Sequence, residues 1–233
     1  GYLTKEPKML KMLSEIFENC HSHASRFASL ADSANHAAEQ MAFLSATFSE
    51  RSTGYSLQME PCFMPVLTKE ILQKYVRKDL PGREIFLVQL QDYTRQLAKQ
   101  KMIYICSMEG ILRFLQNGKI PEIPDGLYEI PSVSDRIQIV KALLAPERAT
   151  RLRILKNSIG NTETPVYLYI TPKIGTLRLP LAIDQMVNLQ IQETGMLEAF
   201  YDFCENLDEE MFYSFEEAEQ IVEEEMKDGD WKT

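Results

Sequence analysis

Histidine is the residue most often used for acid–base chemistry near neutral pH. All three histidines of this 233-residue chain, His21, His23 and His36, lie near its start. A hydrolase with the order serine, acid, histidine needs a histidine after its serine, and none follows position 36. Ser107 follows an apolar run and precedes a helical pattern, but Ile105 stands where a nucleophile elbow has glycine. We therefore expect Ser107 to cap a helix.

The four cysteines, Cys20, Cys62, Cys106 and Cys204, are widely separated. They form no CxxC pair, so the sequence predicts no zinc site. Cys20 and His23 share a helical face at i and i+3, but no third ligand lies near them in the sequence. The simplest interpretation is a reduced, cytoplasmic protein without a bound metal.

Motifs for phosphate binding and for acid–base catalysis are missing as well. Neither GxGxxG nor GxxxxGK[ST] occurs, and we expect no cofactor. Glu109 and Asp184 are the carboxylates most enclosed by apolar neighbours, yet neither has a partner nearby in the sequence. Hence we predict no catalytic residues. The alternative is a hydrolase-like enzyme with a dispersed active site, in which Glu109 or Asp184 acts as the acid or base.

Charge is distributed unevenly along the chain. The net charge is −9, and residues 198–233 carry fourteen acidic residues against only two lysines. Apolar residues recur through this acidic end, which predicts amphipathic helices with an acidic outer face. A basic group at Arg148, Arg151 and Arg153 has no interleaved aromatic residues, so we expect no direct binding of nucleic acid. The apolar runs are too short for a membrane span.

The first hundred residues are predicted to be a mainly helical region. No glycine or proline occurs from Lys8 to Thr53, and apolar residues recur there at alternating steps of four and three. These steps are typical of a heptad seam in one long helix. The seam positions are Met9, Leu13, Ile16, Cys20, His23, Phe27, Leu30, Ala34, Ala37, Met41, Leu44 and Phe48. Small uncharged residues flank the seam, which favours the approach of a second helix and a dimer formed through these helices.

Residues 101–233 are predicted to form a mixed α/β domain around one largely antiparallel sheet, with acidic helices at its end. The overall fold class is therefore α+β, with the helical region at residues 1–100. Residues 54–65 are expected to form a loop, and Ser134 is expected to cap a helix. Strands are predicted at residues 102–106, 151–155, 166–170, 176–181 and 186–191.

The order of elements between residues 100 and 210 also carries a family resemblance. A strand at Met102–Cys106 leads to a helix that begins with Met108-Glu109-Gly110, and later strands end in a helix that contains Phe200 and Phe203. This order resembles the C-terminal sensor or regulatory region of bacterial transcription regulators, including those built on a phospholipase-D-like core. The HxK signature of active phospholipase D enzymes is absent, so the resemblance implies a sensing role. Such regulators carry a separate DNA-binding domain, and the sequence has no clear helix-turn-helix with a basic recognition helix.

We therefore expect a non-catalytic regulatory or protein-interaction module whose effector is a small molecule or a partner protein. The candidate ligand-binding residues are Tyr104, Cys106, Tyr128, Tyr167, Tyr169 and Arg178. A competing interpretation of the tyrosines is that they pack in the core of the sheet, with their hydroxyls satisfied at its edge. Besides the enzyme described above, a structural protein that has neither ligand nor catalysis is the other alternative.

Overall fold

A computed structural model describes residues 53–120, 123, 126–159, 167–182 and 185–228, together with residues 34, 35, 37–39, 41, 42 and 45. The strands are β1 (Thr53–Gln58), β2 (Lys101–Ser107), β3 (Leu152–Leu155), β4 (Tyr167–Ile170), β5 (Gly175–Ala182) and β6 (Gln185–Ile191). The helices with complete bounds are α1 (Lys69–Tyr75), α2 (Arg83–Lys99), α3 (Met108–Asn117), α4 (Val133–Leu143), α5 (Thr194–Glu205) and α6 (Phe215–Asp228). None of the helices in the described ranges is long and apolar enough to cross a membrane.

The six strands form one mixed sheet in the order β3-β2-β1-β4-β5-β6. Strands β1, β2 and β3 are parallel, whereas β4 is antiparallel to β1, and β5 and β6 continue the antiparallel part. The predicted fold class is therefore wrong in its largely antiparallel sheet. The parallel part arises because α1 and α2 connect β1 to β2, and α3 and α4 connect β2 to β3, so each connection returns the chain to the same end of the sheet. Strand spacing in the sequence does not reveal that direction.

Strand β1 lies inside the sheet, and the loop predicted over residues 54–65 is therefore wrong for residues 54–58. The predicted helical region, residues 1–100, therefore contributes a strand to the sheet, and the sheet crosses the boundary predicted between residues 100 and 101. Tyr55 and Leu57 alternate with Ser56 and Gln58 in β1, as in a strand, but both sets are buried, so neither side of the strand faces solvent. At Gly54 an added Cβ would lie 2.4 Å from the carbonyl oxygen of Ile170 on β4, so close pairing requires glycine there.

Several helix ends follow the capping pattern of the sequence. Ser107 caps α3, since its Oγ accepts a hydrogen bond from the Gly110 amide at 3.0 Å, as predicted. At α6, Ser214 and Glu217 exchange the two hydrogen bonds of a capping box. The prediction for α4 is wrong by two residues, because Ser132 rather than Ser134 caps this helix. A serine stands at both positions, so spacing alone does not choose between them.

Each face of the sheet packs in its own hydrophobic cluster. The first, which defines the helical face, joins Tyr104, Ile154 and Tyr169 to buried residues of α1, α2, α3, α4 and α6. The second lies on the opposite face, where Leu57 and Leu168 pack in one cluster with residues of α5. The candidate site lies on the helical face.

The predicted long heptad helix lies mostly outside the described residues. At the described positions between 34 and 45 the backbone is helical, and the seam residues Ala34, Ala37 and Met41 are buried. These three residues belong to the same hydrophobic cluster as the helical face of the sheet. The described part of the seam is thus buried within this chain, and the dimer stays a prediction.

Candidate ligand-binding site

A buried polar surface occupies the helical face of the sheet where β1, β4 and β5 meet. Residues paired across neighbouring strands share one face, so the register shows which side chains are adjacent. One row across β1, β4 and β5 is Ser56–Tyr169–Thr176, and the next is Gln58–Tyr167–Arg178. We call these six residues the polar patch. All six are buried, with Thr176 fully so and Arg178 only 4% exposed.

Two of its contacts are made within the polar patch. The hydroxyl of Tyr169 donates a hydrogen bond to Gln58 Oε1 at 3.1 Å. The guanidinium carbon of Arg178 lies 5.7 Å from the centre of the Tyr167 ring, in the range of a cation–π contact. The first contact connects β1 to β4 and the second connects β4 to β5, so side-chain contacts link all three strands of the patch.

Three polar atoms of the patch have no hydrogen-bond partner within the part of the chain that the structure describes. They are Ser56 Oγ, Thr176 Oγ1 and Arg178 Nε. Among the residues that the structure describes, no carboxylate pairs with Arg178, whose recorded contact is the ring of Tyr167. Buried polar groups in folded proteins are almost always hydrogen-bonded, because a lost bond costs about 1–3 kcal/mol for each group. Three such atoms on adjacent positions therefore indicate a surface suited to a polar ligand.

Five of the six residues predicted from the sequence lie in this neighbourhood. Tyr167, Tyr169 and Arg178 belong to the polar patch, and Tyr104 and Cys106 lie beside it on β2. Tyr104 is in register with Ser56, and Cys106 continues the row of Gln58. Burial raises the pKa of the Cys106 thiol to about 12, so this cysteine is a neutral side chain next to the patch.

Tyr128, the sixth predicted residue, lies elsewhere. It forms an isolated backbone bridge with Val76 at the end of α1, and its ring meets that of Tyr75 edge-on at 6.4 Å. Burial raises the pKa of Tyr128, and the nearby Tyr75 and Asp135 add to this shift. Its hydroxyl has no hydrogen-bond partner. Tyr128 thus belongs to the helical layer and does not contribute to the polar patch.

Sequence reasoning missed Ser56, Gln58 and Thr176. Thr176 could have been found, because it stands two residues before Arg178 in a predicted strand and so shares its face. Ser56 and Gln58 also carry a signal, because they alternate with Tyr55 and Leu57 at strand spacing, but it was overlooked because residues 54–65 were expected to form a loop. Only the pairing of β1 with β4 brings them beside Tyr169 and Tyr167.

A second polar group lies where the parallel strands β1, β2 and β3 end. Arg113 on α3 pairs with Glu60 at 2.7 Å and with Glu109 at 2.6 Å, and Glu109 also accepts a hydrogen bond from Ser158. The Glu109 side chain is 54% exposed, so the apolar enclosure expected of a general acid is not present. Asp184, the other residue of the enzyme alternative, lies outside the described residues.

The described residues contain no cluster of three or more histidine, cysteine, aspartate or glutamate side chains that could hold a metal ion. Cys62, Cys106 and Cys204 are buried free thiols, and Cys20 lies outside the described part of the chain. A shallow surface cavity of about 260 Å³ is lined by Lys156, Asn157, Asp208, Glu210 and Met211.

No protein-family model, curated protein or solved structure matches this chain.

Proposed function

We propose that this chain is a non-catalytic sensor module, the effector part of a bacterial transcription regulator, whose effector is a small molecule bound at the polar patch. The observation that carries this proposal is the group of three unpartnered buried atoms on Ser56, Thr176 and Arg178. An apolar sheet face at these positions would avoid the cost of desolvating them. Groups that lower the stability of the free protein but can bind a ligand are typical of binding sites.

The rest of the proposal follows the sequence. The heptad helices provide self-association as a dimer, and the protein works in the cytoplasm. DNA is bound by a separate domain of the regulator. Signal transfer would follow from the position of β1, because this central strand contributes Ser56 and Gln58 to the patch and also pairs with β2 of the parallel part. A ligand that orders the patch would thereby stabilise both parts of the sheet.

The experiment is a thermal-unfolding screen of the whole chain against a panel of neutral, cationic and anionic metabolites. We expect at least one compound to raise the melting temperature in a saturable manner, since a ligand that binds only the folded state stabilises it. The double variant Ser56→Ala/Thr176→Val removes two hydroxyls without adding bulk, and it should weaken that response about tenfold.

The matched control is Ser134→Ala, which removes an exposed hydroxyl from α4 and should leave the response unchanged. If no compound in the panel raises the melting temperature, the proposed function is wrong. It is equally wrong if the double variant responds as the unmodified chain does.

A further inference from the structure

The polar patch contains one formal charge, and this charge determines which ligand it can bind. Arginine keeps its positive charge in proteins. Arg178 is 4% exposed on β5, and Ser56, Gln58, Tyr167, Tyr169 and Thr176 around it carry neutral side chains. No carboxylate of the described residues pairs with this charge, burying an unpaired charge is unfavourable, and a bound anion would pair with it. The patch is therefore matched to an anionic ligand.

The size of the patch limits the anion to a small molecule. Neighbouring strands lie about 4.8 Å apart, so Ser56 on β1 and Thr176 on β5, separated by β4, are about 10 Å apart. Thr176 and Arg178 are two residues apart along one strand, which corresponds to about 7 Å. The unpartnered atoms thus span an area that suits an anion of a few carbon atoms carrying a hydroxyl or a second polar group.

The charge balance favours a carboxylate over a phosphate. A guanidinium presents parallel N–H groups that fit two oxygens of a carboxylate or of a phosphate, so the choice depends on charge. A monocarboxylate would neutralise Arg178, whereas a phosphate dianion would leave a negative charge among the neutral hydroxyl, amide and phenol groups of the patch. The ring of Tyr167 beside the guanidinium adds an apolar surface against which the carbon skeleton of an organic acid can pack.

On these grounds we infer that the effector is a small organic carboxylate whose carboxylate group binds Arg178, while a second polar group of the ligand bonds to the hydroxyl of Thr176 and a separate one to that of Ser56. This inference rests on the proposed function and names the chemical class of its ligand. In this arrangement Arg178 is the residue that determines specificity for charge, and the two hydroxyls determine which carboxylate is bound.

The test measures thermal unfolding and isothermal titration of the whole chain with lactate, glycolate and benzoate at constant ionic strength. Each acid is paired with its amide (lactamide, glycolamide or benzamide), which keeps the shape and removes the charge. We expect at least one carboxylate to bind saturably and at least about tenfold more tightly than its amide. A response to inorganic phosphate without a response to any of the three carboxylates overturns the inference, as does the absence of any response.

Variants of Arg178 separate a ligand-binding role from a structural one. Arg178→Met removes the charge at similar length, so it should abolish the response to carboxylates while the ligand-free melting temperature stays equal or rises. Arg178→Lys keeps the charge but loses the paired N–H groups, and it should weaken binding about tenfold. Arg95→Met on α2, where the arginine side chain is 65% exposed, is the control and should change neither quantity.

The outcomes also distinguish the inference from the proposed function. If Arg178→Met and Arg178→Lys both unfold at room temperature by circular dichroism, Arg178 is structural and the inference is wrong. If a neutral compound binds, and its binding is weakened by Ser56→Ala/Thr176→Val but not by Arg178→Met, the sensor function stands and the carboxylate inference is overturned.

Discussion

The parallel and antiparallel parts of the sheet present different surfaces to the same helical face. On β2 and β3, Met102, Leu152 and Ile154 form part of the hydrophobic cluster with the covering helices. On β1 and β5, the same face carries Ser56, Gln58, Thr176 and Arg178 at positions that are just as buried. Equal burial therefore has opposite effects on stability. Buried apolar side chains stabilise the parallel part, whereas the buried polar patch reduces stability unless a ligand forms hydrogen bonds with it.

The largest effect is expected in the parallel part. Ile154 on β3 is 2% exposed within the hydrophobic cluster, so Ile154→Ala should lower the free energy of unfolding by about 3 kcal/mol through lost burial and a residual cavity. Urea denaturation measures this loss. Val88 on α2 is 58% exposed, and Val88→Ala as the control should change stability by less than about 0.5 kcal/mol. Equal losses in both variants would contradict the assignment of β3 to the core.

The cap of α3 has the next largest expected effect. Ser107 Oγ accepts from the Gly110 amide and donates to the carbonyl oxygen of Met59, both at 3.0 Å and both buried. Ser107→Ala should therefore lower the free energy of unfolding by about 1–2 kcal/mol. Ser134→Ala, the position first expected to be a cap, should change it by less than about 0.5 kcal/mol. If urea denaturation shows a larger loss of unfolding free energy for Ser134→Ala than for Ser107→Ala, the assignment of Ser132 as the cap of α4 would be wrong.

The polar patch should respond with the opposite sign. Thr176→Val replaces a fully buried, unpartnered hydroxyl with a methyl group, and it should raise the free energy of unfolding by up to about 1 kcal/mol. Thr94 on α2 provides the matched control, because its buried hydroxyl donates to the carbonyl oxygen of Leu90 at 2.8 Å. Thr94→Val should not raise stability. If Thr176→Val is the less stable of the two, the hydroxyl of Thr176 has a structural partner.

The smallest effect concerns an ion pair of the helical layer and depends on pH. Hydrogen bonds from Lys74 and then from Tyr75, both at 2.5 Å, hold the pKa of Asp135 below its usual range. The folded protein thus binds this proton more weakly than the unfolded chain does. The pairing therefore stabilises the fold above the unfolded pKa of about 3.9, and this contribution is lost as the pH falls through the lower folded pKa.

Thermal unfolding of Asp135→Asn as a function of pH checks this expectation. The variant should melt below the unmodified chain near neutral pH, and the difference should shrink in acid. Asp92→Asn removes an exposed pair with Arg95 on α2 and should show a smaller difference at neutral pH. A difference for Asp135→Asn that does not change with pH would mean that its charge is not what stabilises the contact between α1 and α4.

Particular residues show why part of this fold was predictable. Ser107 starts α3 through a local hydrogen bond to the Gly110 amide, at the position that its spacing predicts. The Ser214–Glu217 pair at α6 acts through the same kind of local backbone geometry. The strands that contain Tyr104, Tyr167 and Arg178 were also predicted, because their apolar and aromatic residues recur at strand spacing. The candidate residues were therefore chosen from real strands, although Tyr128 lies in the helical layer.

The rest depended on contacts between distant segments. Ser56 and Gln58 lie beside Tyr169 and Tyr167 because β1 pairs with β4, more than a hundred residues later in the chain. The direction of β1, β2 and β3 depends on how the connecting helices return the chain, and local residue patterns do not encode that return. A fold class based on local patterns therefore gave a largely antiparallel sheet and a loop at its central strand.

By itself, the sequence determined the caps of α3 and α6, five of the six strands and the alternation that places Tyr167 and Tyr169, and likewise Thr176 and Arg178, on one face of a strand. Those features depend on interactions within a few residues, which a linear pattern records. Only the tertiary structure decided that β1, β4 and β5 are neighbours, and so assembled Ser56, Thr176 and Arg178 into one buried polar patch. Side chains far apart in the chain become neighbours through strand pairing and shared burial. The spacing of residues along the chain does not show which strands will pair.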